Sequence, residues 1–335
     1  MTATNVTVRS VMAYGNGAHI VHAELADALP TYQLRGCNPY LAAIPGLPHP
    51  GLRRWLAEAP IVHLPADYGH VPLPRNSLRV ITFHNFYIDS ANMARSSLAQ
   101  RLFYRHVLRR SVIAATGSAH RIVVVSRFLA DCVRRHGLAK NTPLEVIYNG
   151  IDTQRFHPAE NPDQNRPLRV LFVGNPSRRK GFHLLSALTE HLPHGVELAF
   201  TTGLRNEQVQ TIHPRLISLG HVPYSEMHRL YQQSDILLFP TYLEGFGLCV
   251  AEAMACGLPV VSTNCSAIPE LIEHGRGGFL VEPGDLSSML KRTLQLLADA
   301  KLRKDMGQWN RARAMRDFDR TRMVSQYREL FGSLI

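Results

Sequence analysis

Two glutamates, Glu244 and Glu252, stand with seven residues between them in the stretch 242–259, YLEGFGLCVAEAMACGLP, directly after the apolar run ILLFP. A strand, a glycine-rich turn and then a helix is an arrangement that aims backbone N–H groups at an anion. Gly245 and Gly247 let the main chain approach a ligand without a Cβ in the way. A helix starting near Gly247 offers the amides of Gly247, Leu248 and Cys249 to a diphosphate, with Phe246 in the same turn. Glu244 then stands beside whatever the phosphate carries, and Glu252, about one turn into the helix, reaches a ribose diol. A plainer reading is that the two carboxylates only favour a helix N-terminus through its dipole. The glycines, the apolar strand before and the GLPVV strand after weigh against it. A second apolar run, LRVLFVG, leads into Arg178, Arg179 and Lys180. Fixed cations there would neutralise a leaving diphosphate, where charge develops in the transition state.

The first half carries weaker signals. Gly15, Asn16, Gly17, Ala18 and His19 form a glycine-bearing turn after an apolar strand, and Thr82, Phe83, His84 and Asn85 end another. Asp317, Phe318 and Asp319 have the spacing of a metal-binding DxD, but they fall in a helical tail and not at a strand end. No required metal and no cofactor is therefore expected. The five cysteines (Cys37, Cys132, Cys249, Cys256 and Cys265) form no C-x-x-C pair, which predicts reduced thiols and neither a disulfide framework nor a zinc site. The segment 95–110, RSSLAQRLFYRHVLRR, reads as a helix with Leu98, Leu102, Phe103 and Leu108 among Arg95, Arg101, Arg105, Arg109 and Arg110. Such a helix suits an anionic membrane surface, or a core-facing helix with a solvated side. Leu52, Arg53, Arg54, Trp55 and Leu56 add a second basic-aromatic patch.

The elements that position these residues follow from the pattern of the whole chain. At 335 residues it exceeds what one core usually organises, so two domains are expected. Apolar runs alternate with helical periodicity in both halves, the pattern of parallel α/β units. Strands are predicted at 6–13, 61–64, 80–83, 122–125 and 146–148, with helices over 18–29 and over 127–136, the latter capped by Ser126. After a polar stretch at 157–167 come strands at 168–173, 196–201, 236–239 and 260–262. A helix over 182–192 and a helical tail over 286–334, capped by Asp285, complete the second half. Of the formal charge of +11, residues 1–150 hold 16 Lys and Arg against 7 Asp and Glu, so the first half should face something anionic. No run reaches the ~18–20 apolar residues that span a bilayer, and MTATNVTVRS lacks the form of a secretory leader. A cytoplasmic protein is expected, in peripheral contact with the inner face of the cell membrane through 95–110. Nucleic-acid binding is not expected, because no recognised motif accompanies the charge.

The stretch EGFGLCVAEAMACGLPVV resembles the signature of glycosyltransferase family 4, retaining enzymes of the GT-B fold. VIYNGIDTQRFHP at 146–158, VLFVGNPSRRKGFHLL at 170–185, AIPELI at 267–272 and GGFLVEPGD at 277–285 match in the family's order. The resemblance is dense from about 120 to 285 and looser before. It implies an α/β protein of two Rossmann-like domains facing across a cleft, at 1–152 and 153–317, with a C-terminal helix at 318–335 crossing back to the first. It implies that a hexose moves from a UDP- or GDP-sugar to a glycan or lipid-linked acceptor in bacterial polysaccharide or lipopolysaccharide synthesis. Glu244 would hold sugar hydroxyls, Glu252 the ribose, and Arg179 with Lys180 the diphosphate. Gly15 and Gly17 would lie at donor phosphate or acceptor, and His84 near the anomeric carbon. Asn175 replaces an arginine common in the family's loop, and Asn85 an aspartate, which leaves phosphate and acceptor contacts open. The rival readings are another enzyme on this fold, such as a sugar-nucleotide epimerase or a phosphorylase, and a catalytically silent sugar-nucleotide-binding subunit of a membrane assembly.

Overall fold

Parallel strand pairing accounts for why the apolar runs were so continuous: strands covered on both faces have no solvent side to mark with polar residues. The structure, a computed structural model, describes residues 6–38, 50–69, 71, 76–89, 93, 96–161, 163, 165–203 and 213–335. Two units divide the chain, residues 1–150 with 320–335, and residues 151–319. Each contains a six-stranded sheet, and every strand pairing among the described residues is parallel.

The first unit runs β1 (Val8–Ala13), α1 (Gly17–Ala28), β2 (Tyr32–Cys37), α2 (Pro50–Ala57), β3 (Ile61–Pro65), β4 (Leu78–Phe83), α3 (Leu98–Phe103), α4 (Arg109–Gly117), β5 (Arg121–Val124), α5 (Arg127–Arg135) and β6 (Leu144–Val146). Its strand order is β2-β1-β3-β4-β5-β6. Local chemistry sets the helix starts. The Asn16 side chain accepts from the His19 amide at 2.8 Å, and Ser126 accepts from the Leu129 amide at 3.2 Å, each satisfying a first-turn donor. The edge strand β2 was not foreseen. Its sequence YQLRGC fully buries only Tyr32 and places an exposed Arg35 in mid-strand. The basic segment is helical from Leu98 onward and continues through a π-helical turn, Tyr104–Leu108, into α4. Arg95 and the side chain of Arg53, counted in the two basic patches, lie outside the described residues.

The second unit runs β7 (Leu168–Phe172), α6 (Leu185–Glu190), β8 (Val196–Thr202), β9 (Leu216–His221), α7 (Met227–Gln232), β10 (Ile236–Phe239), α8 (Leu248–Ala255), β11 (Val260–Thr263), α9 (Ile268–Leu271), β12 (Gly278–Val281), α10 (Leu286–Ala298) and α11 (Ala300–Asp317). Its strand order is β12-β11-β10-β7-β8-β9. A single helix over 182–192 does not form. Gly181 enters in the left-handed region at φ 73°, so a 3-10 turn over Phe182–Leu184 precedes a short α6, and Pro193 ends the segment. Asp285 does cap α10, accepting from the Ser288 amide at 2.9 Å. Helix α11 approaches the α8–β11 turn closely. Asn310 donates to the carbonyls of Leu258 and Gly277 at 2.7 and 2.6 Å, holding the turn's main chain to the helix.

The last helix, α12 (Arg320–Gly332), belongs to the first unit. It buries Met323, Val324, Tyr327, Leu330 and Phe331, worth on the order of 2 kcal/mol each. Arg320 bonds Glu24 of α1 at 3.0 Å, and the Gly150 amide meets Sδ of Met323 at 3.1 Å.

In each sheet the chain order reverses once, between β7 and β10 in the second unit and between β1 and β3 in the first. Open α/β sheets bind ligands outside the carboxyl ends of the strands at such a reversal.

Candidate functional site

The loops that leave β7 and β10 at the second unit's reversal carry Arg179, Lys180, Glu244 and the start of α8. Lys180 is folded back over its own loop. Gly174 takes φ 136°, and a Cβ there would lie 2.3 Å from Nζ of Lys180, so glycine makes room for the ammonium. Nζ also stands 5.3 Å from the centre of the Phe239 ring. The lysine's charge reaches the first turns of α8, where it draws down the pKa of both Cys249 and Glu252 against the larger opposite effect of burial.

The Gly247 N-cap sits at φ 101°, a conformation few L-residues adopt, and it turns the chain sharply from the glycine-rich loop into α8. The helix's own bonding begins with the amides of Val250 and Ala251, which donate to the Gly247 carbonyl. The amides before them, on Leu248 and Cys249, are first-turn groups with no acceptor inside the helix. Phe246 packs edge-on against Phe318, with ring centres 5.6 Å apart, and fixes the turn from behind.

Arg179 and Glu244 face each other, with Nη1 of Arg179 3.0 Å from Oε1 of Glu244. The same nitrogen donates to the Leu243 carbonyl, and the Arg179 carbonyl accepts from the Tyr242 amide at 2.8 Å. These bonds stitch the β7 loop to the β10 loop. Ser266 holds Glu244 from the other side, accepting from its amide at 2.9 Å. Among the described residues Ser266 is the one non-glycine with positive φ, at 50°, a strained placement that a residue other than Gly adopts when its surroundings demand it. Sequence reasoning missed Ser266, because a serine in that conformation has no pattern of its own.

Glu252 lies in α8. It is buried, and its Oε2 accepts from the Tyr231 hydroxyl at 2.7 Å. Burial pushes its carboxyl up to about 7, against hydrogen bonds from Tyr231 and Tyr224 and the charges of Lys180 and Arg155. Asn175 packs onto Gly203, where a Cβ would come within 1.4 Å of its Oδ1. The structure thus brings Arg179, Lys180, Glu244, Phe246, Gly247, Leu248, Cys249 and Glu252 to one edge of one sheet.

In the first unit Gly15 takes φ 76° and Gly17 opens α1. His84 follows β4, with Nε2 3.0 Å from Nε2 of His22, and burial pushes its pKa down to about 3. None of the five cysteines is joined in a disulfide.

Family models extend this correspondence along most of the chain. Residues 15–155 match the model described as Glycosyltransferase Family 4, and residues 167–299 match Glycosyl transferases group 1. The chain belongs to glycosyltransferase family 4. Among curated relatives of this family-4 chain, the N-acetyl-alpha-D-glucosaminyl L-malate synthase of Bacillus anthracis is 37% identical over 124 residues, covering 37% of the chain and 32% of the relative. The capsular polysaccharide biosynthesis glycosyltransferase CapM of Staphylococcus aureus is 25% identical over 236 residues, covering 64% of the chain and 62% of the relative. The chain thus spans less than two thirds of the length of these relatives. Among solved structures, HepE of Anabaena in complex with UDP and glucose superposes with a TM-score of 0.79 at 17% identity, covering 98% of this chain and all of that one. Sucrose-phosphate synthase of Thermosynechococcus elongatus gives 0.76 at 20% identity, over 98% and 99% of the two chains. Identities this low establish a shared GT-B fold. No helix among the described residues is long and apolar enough to cross a membrane.

Proposed function

We propose that this family-4 chain is a retaining glycosyltransferase that moves a hexose from a UDP- or GDP-sugar to a glycan or lipid-linked acceptor. The observation that carries the reading is the convergence of Lys180, the Arg179–Glu244 pair and the first amides of α8 at the reversal of one parallel sheet. A cation beside a helix N-terminus suits a diphosphate, and a carboxylate next to it suits sugar hydroxyls. With Lys180 and the amides to stabilise the leaving nucleoside diphosphate, the transfer requires no divalent metal. Departure and attack on the same face of the sugar would give retention. The relative named for capsular polysaccharide biosynthesis, and a structural neighbour solved with UDP and glucose, support the same class of donor and a cell-surface acceptor.

The binding half is tested by thermal denaturation with UDP, GDP, ADP and their sugar conjugates, with and without EDTA. A ligand at 100 times its Kd adds about 2.7 kcal/mol of stability. The expected result is a clear rise in Tm with one nucleotide family, unchanged by EDTA. No rise with any of them would overturn the assignment, and a rise abolished by EDTA would overturn the metal-free mechanism.

The acceptor half draws on α3 and the turns after it, where Leu98 and Leu102 are 74% and 52% exposed beside Arg105 and Arg109, and Ile113 of α4 is also exposed. No acidic residue lies between Asp89 and Asp131. This surface would rest on an anionic bilayer, its arginines on headgroups and its leucines at the acyl boundary. Co-sedimentation with phosphatidylglycerol vesicles, weakened by salt and absent with phosphatidylcholine alone, is the expected outcome. Equal recovery with both lipids would refute it.

A further inference from the structure

A row of buried polar side chains crosses the first unit's sheet. Tyr32 on β2, Ser10 on β1, His63 on β3 and Thr82 on β4 lie in it, with His22 of α1 and Tyr327 of α12 packed against them. The Tyr32 hydroxyl is 2.7 Å from Nδ1 of His22 and 2.7 Å from Nδ1 of His63. Ser10 Oγ is 2.8 Å from the same His22 nitrogen. Nε2 of His63 is 2.7 Å from Thr82 Oγ1, which lies 3.3 Å from the Tyr327 hydroxyl. Nε2 of His22 reaches out of the row to Nε2 of His84 at 3.0 Å.

A core of valines and leucines would hold these elements together without the desolvation cost of six polar groups. The polar row is satisfied at both nitrogens of His22 and both of His63. The unmatched position is Nδ1 of His84, which is sheltered from solvent and has no partner among the described residues. A buried polar atom without a partner costs about 1–3 kcal/mol, and a ligand that supplies one recovers it.

The bonding also constrains what that ligand presents. Burial keeps His22, His63 and His84 neutral, and their mutual proximity presses His22 and His63 the same way, so each ring carries one N–H. In one arrangement His84 donates from Nε2 to His22, His22 donates from Nδ1 to Tyr32, Tyr32 donates to His63, and His63 donates to Thr82. Nδ1 of His84 is then an acceptor. In the reverse arrangement every bond points the other way, and Nδ1 of His84 is a donor. Both arrangements satisfy the row, so a group that both donates and accepts suits either. A neutral hydroxyl has that property and a phosphate does not. Among the described residues no three His, Cys, Asp or Glu side chains are arranged to hold a metal ion, and the nitrogens of His22 and His63 point to hydroxyls and to a second ring.

We propose that His22 is a positioning residue that grips His84 by Nε2, so that Nδ1 of His84 receives a hydroxyl group of the sugar substrate. The proposal rests on the glycosyltransferase reading above. Its first test does not need turnover. With 15N-labelled histidine, long-range 1H–15N spectra of the whole chain separate Nδ1 from Nε2 and report which one is protonated. In the ligand-free wild type, His84 should stay neutral down to pH 5, with His22 and His84 protonated on opposite ring nitrogens. In His22→Phe it should exchange between tautomers and titrate closer to pH 6.5. An unchanged His84 signal in His22→Phe would overturn the proposal, and His22→Leu, which likewise removes the polar group facing His84, serves if the phenylalanine variant fails to fold.

The second test uses UDP-glucose and GDP-mannose as probes. Binding of the sugar nucleotide that the wild type accepts should shift the Nδ1 resonance of His84, whereas the bare nucleotide should not. His22→Phe should then lower kcat about 10- to 100-fold, the scale seen when the orienting partner of a metal-bound imidazole is removed. KM for the donor should change less than threefold, and His22→Gln should restore part of the rate. Equal kcat in wild type and His22→Phe, or a Nδ1 signal indifferent to the sugar, would refute it. A wild type that binds no sugar nucleotide defeats the glycosyltransferase reading instead, and leaves the His22–His84 geometry to the first test.

Discussion

Lys180→Ala should lower kcat by about 10²- to 10³-fold, the usual consequence of losing one fixed group that stabilises developing charge. That corresponds to roughly 3–4 kcal/mol of transition-state stabilisation. The fold should survive, because the ammonium only rests over Gly174 and the Phe239 ring, a contact worth about 0.5–2 kcal/mol. Affinity for the bare nucleotide should fall as well, since the diphosphate loses its cation. A second signature distinguishes electrostatics from misfolding. The Lys180 charge helps restrain the Glu252 carboxyl, which burial pushes up to about 7. Without it, the Glu252 titration should move further up in pH, and a basic-side rise in activity governed by that group would move with it. Stopped-flow or initial-rate kinetics across pH 6–9 on both proteins makes the comparison. A variant within threefold of wild type, with an unmoved pH profile, would take Lys180 out of the leaving-group role.

Acidification below pH 6.5 should destabilise the first unit. His22, His63 and His84 are neutral in the folded state, with pKa values below the ordinary 6.5 because burial penalises the imidazolium. The unfolded chain therefore binds more protons as the pH drops, and stability is lost as pH falls through 6.5 toward the folded values, about 3 for His84. Each proton taken up contributes about 1.4 kcal/mol per pH unit, and three act together. Asp67, held above its usual range by burial, offsets a part of this. The second unit responds with the opposite sign at Glu252. Its folded pKa is raised from 4.5 to about 7, so its contribution is complete below pH 4.5 and is lost as pH rises through 7. The two tryptophans separate these effects, since Trp55 lies in the first unit and Trp309 in the second. Urea unfolding of Trp309→Phe, followed by Trp55 fluorescence at pH 7.5, 6.0 and 5.0, should show the midpoint collapsing in acid. An unchanged midpoint would mean that the histidines are charged in the folded protein.

What was legible in the sequence divides along physical lines. The buried strands β7 and β10 could be read from continuous runs of Val, Ile, Leu and Phe, and the caps Asn16, Ser126 and Asp285 act through bonds only a few residues long. Edge strands β2 and β9 escaped because each buries a single residue, Tyr32 and Leu216, so no continuous apolar run marks them. The loop chemistry was legible as types and spacing: glycines, cations and carboxylates next to strand ends. Pairing was not. Nothing local says that Arg179 bonds Glu244, 65 positions away, or that Glu252 turns toward Tyr231. Likewise His22 and His63 look like ordinary histidines on an apolar helix and strand, and only the register of four strands brings them behind His84.

The first unit is discontinuous in the chain, and that has a consequence for how the protein comes off the ribosome. Its six strands are complete by residue 146, but the helix that covers Tyr32 and His63 begins at Arg320. During synthesis the nascent first sheet therefore carries its polar row without Tyr327 or Phe331 over it while the whole second unit is made. The domain that starts first is finished last, contrary to the usual vectorial order in which each domain is complete before the next emerges.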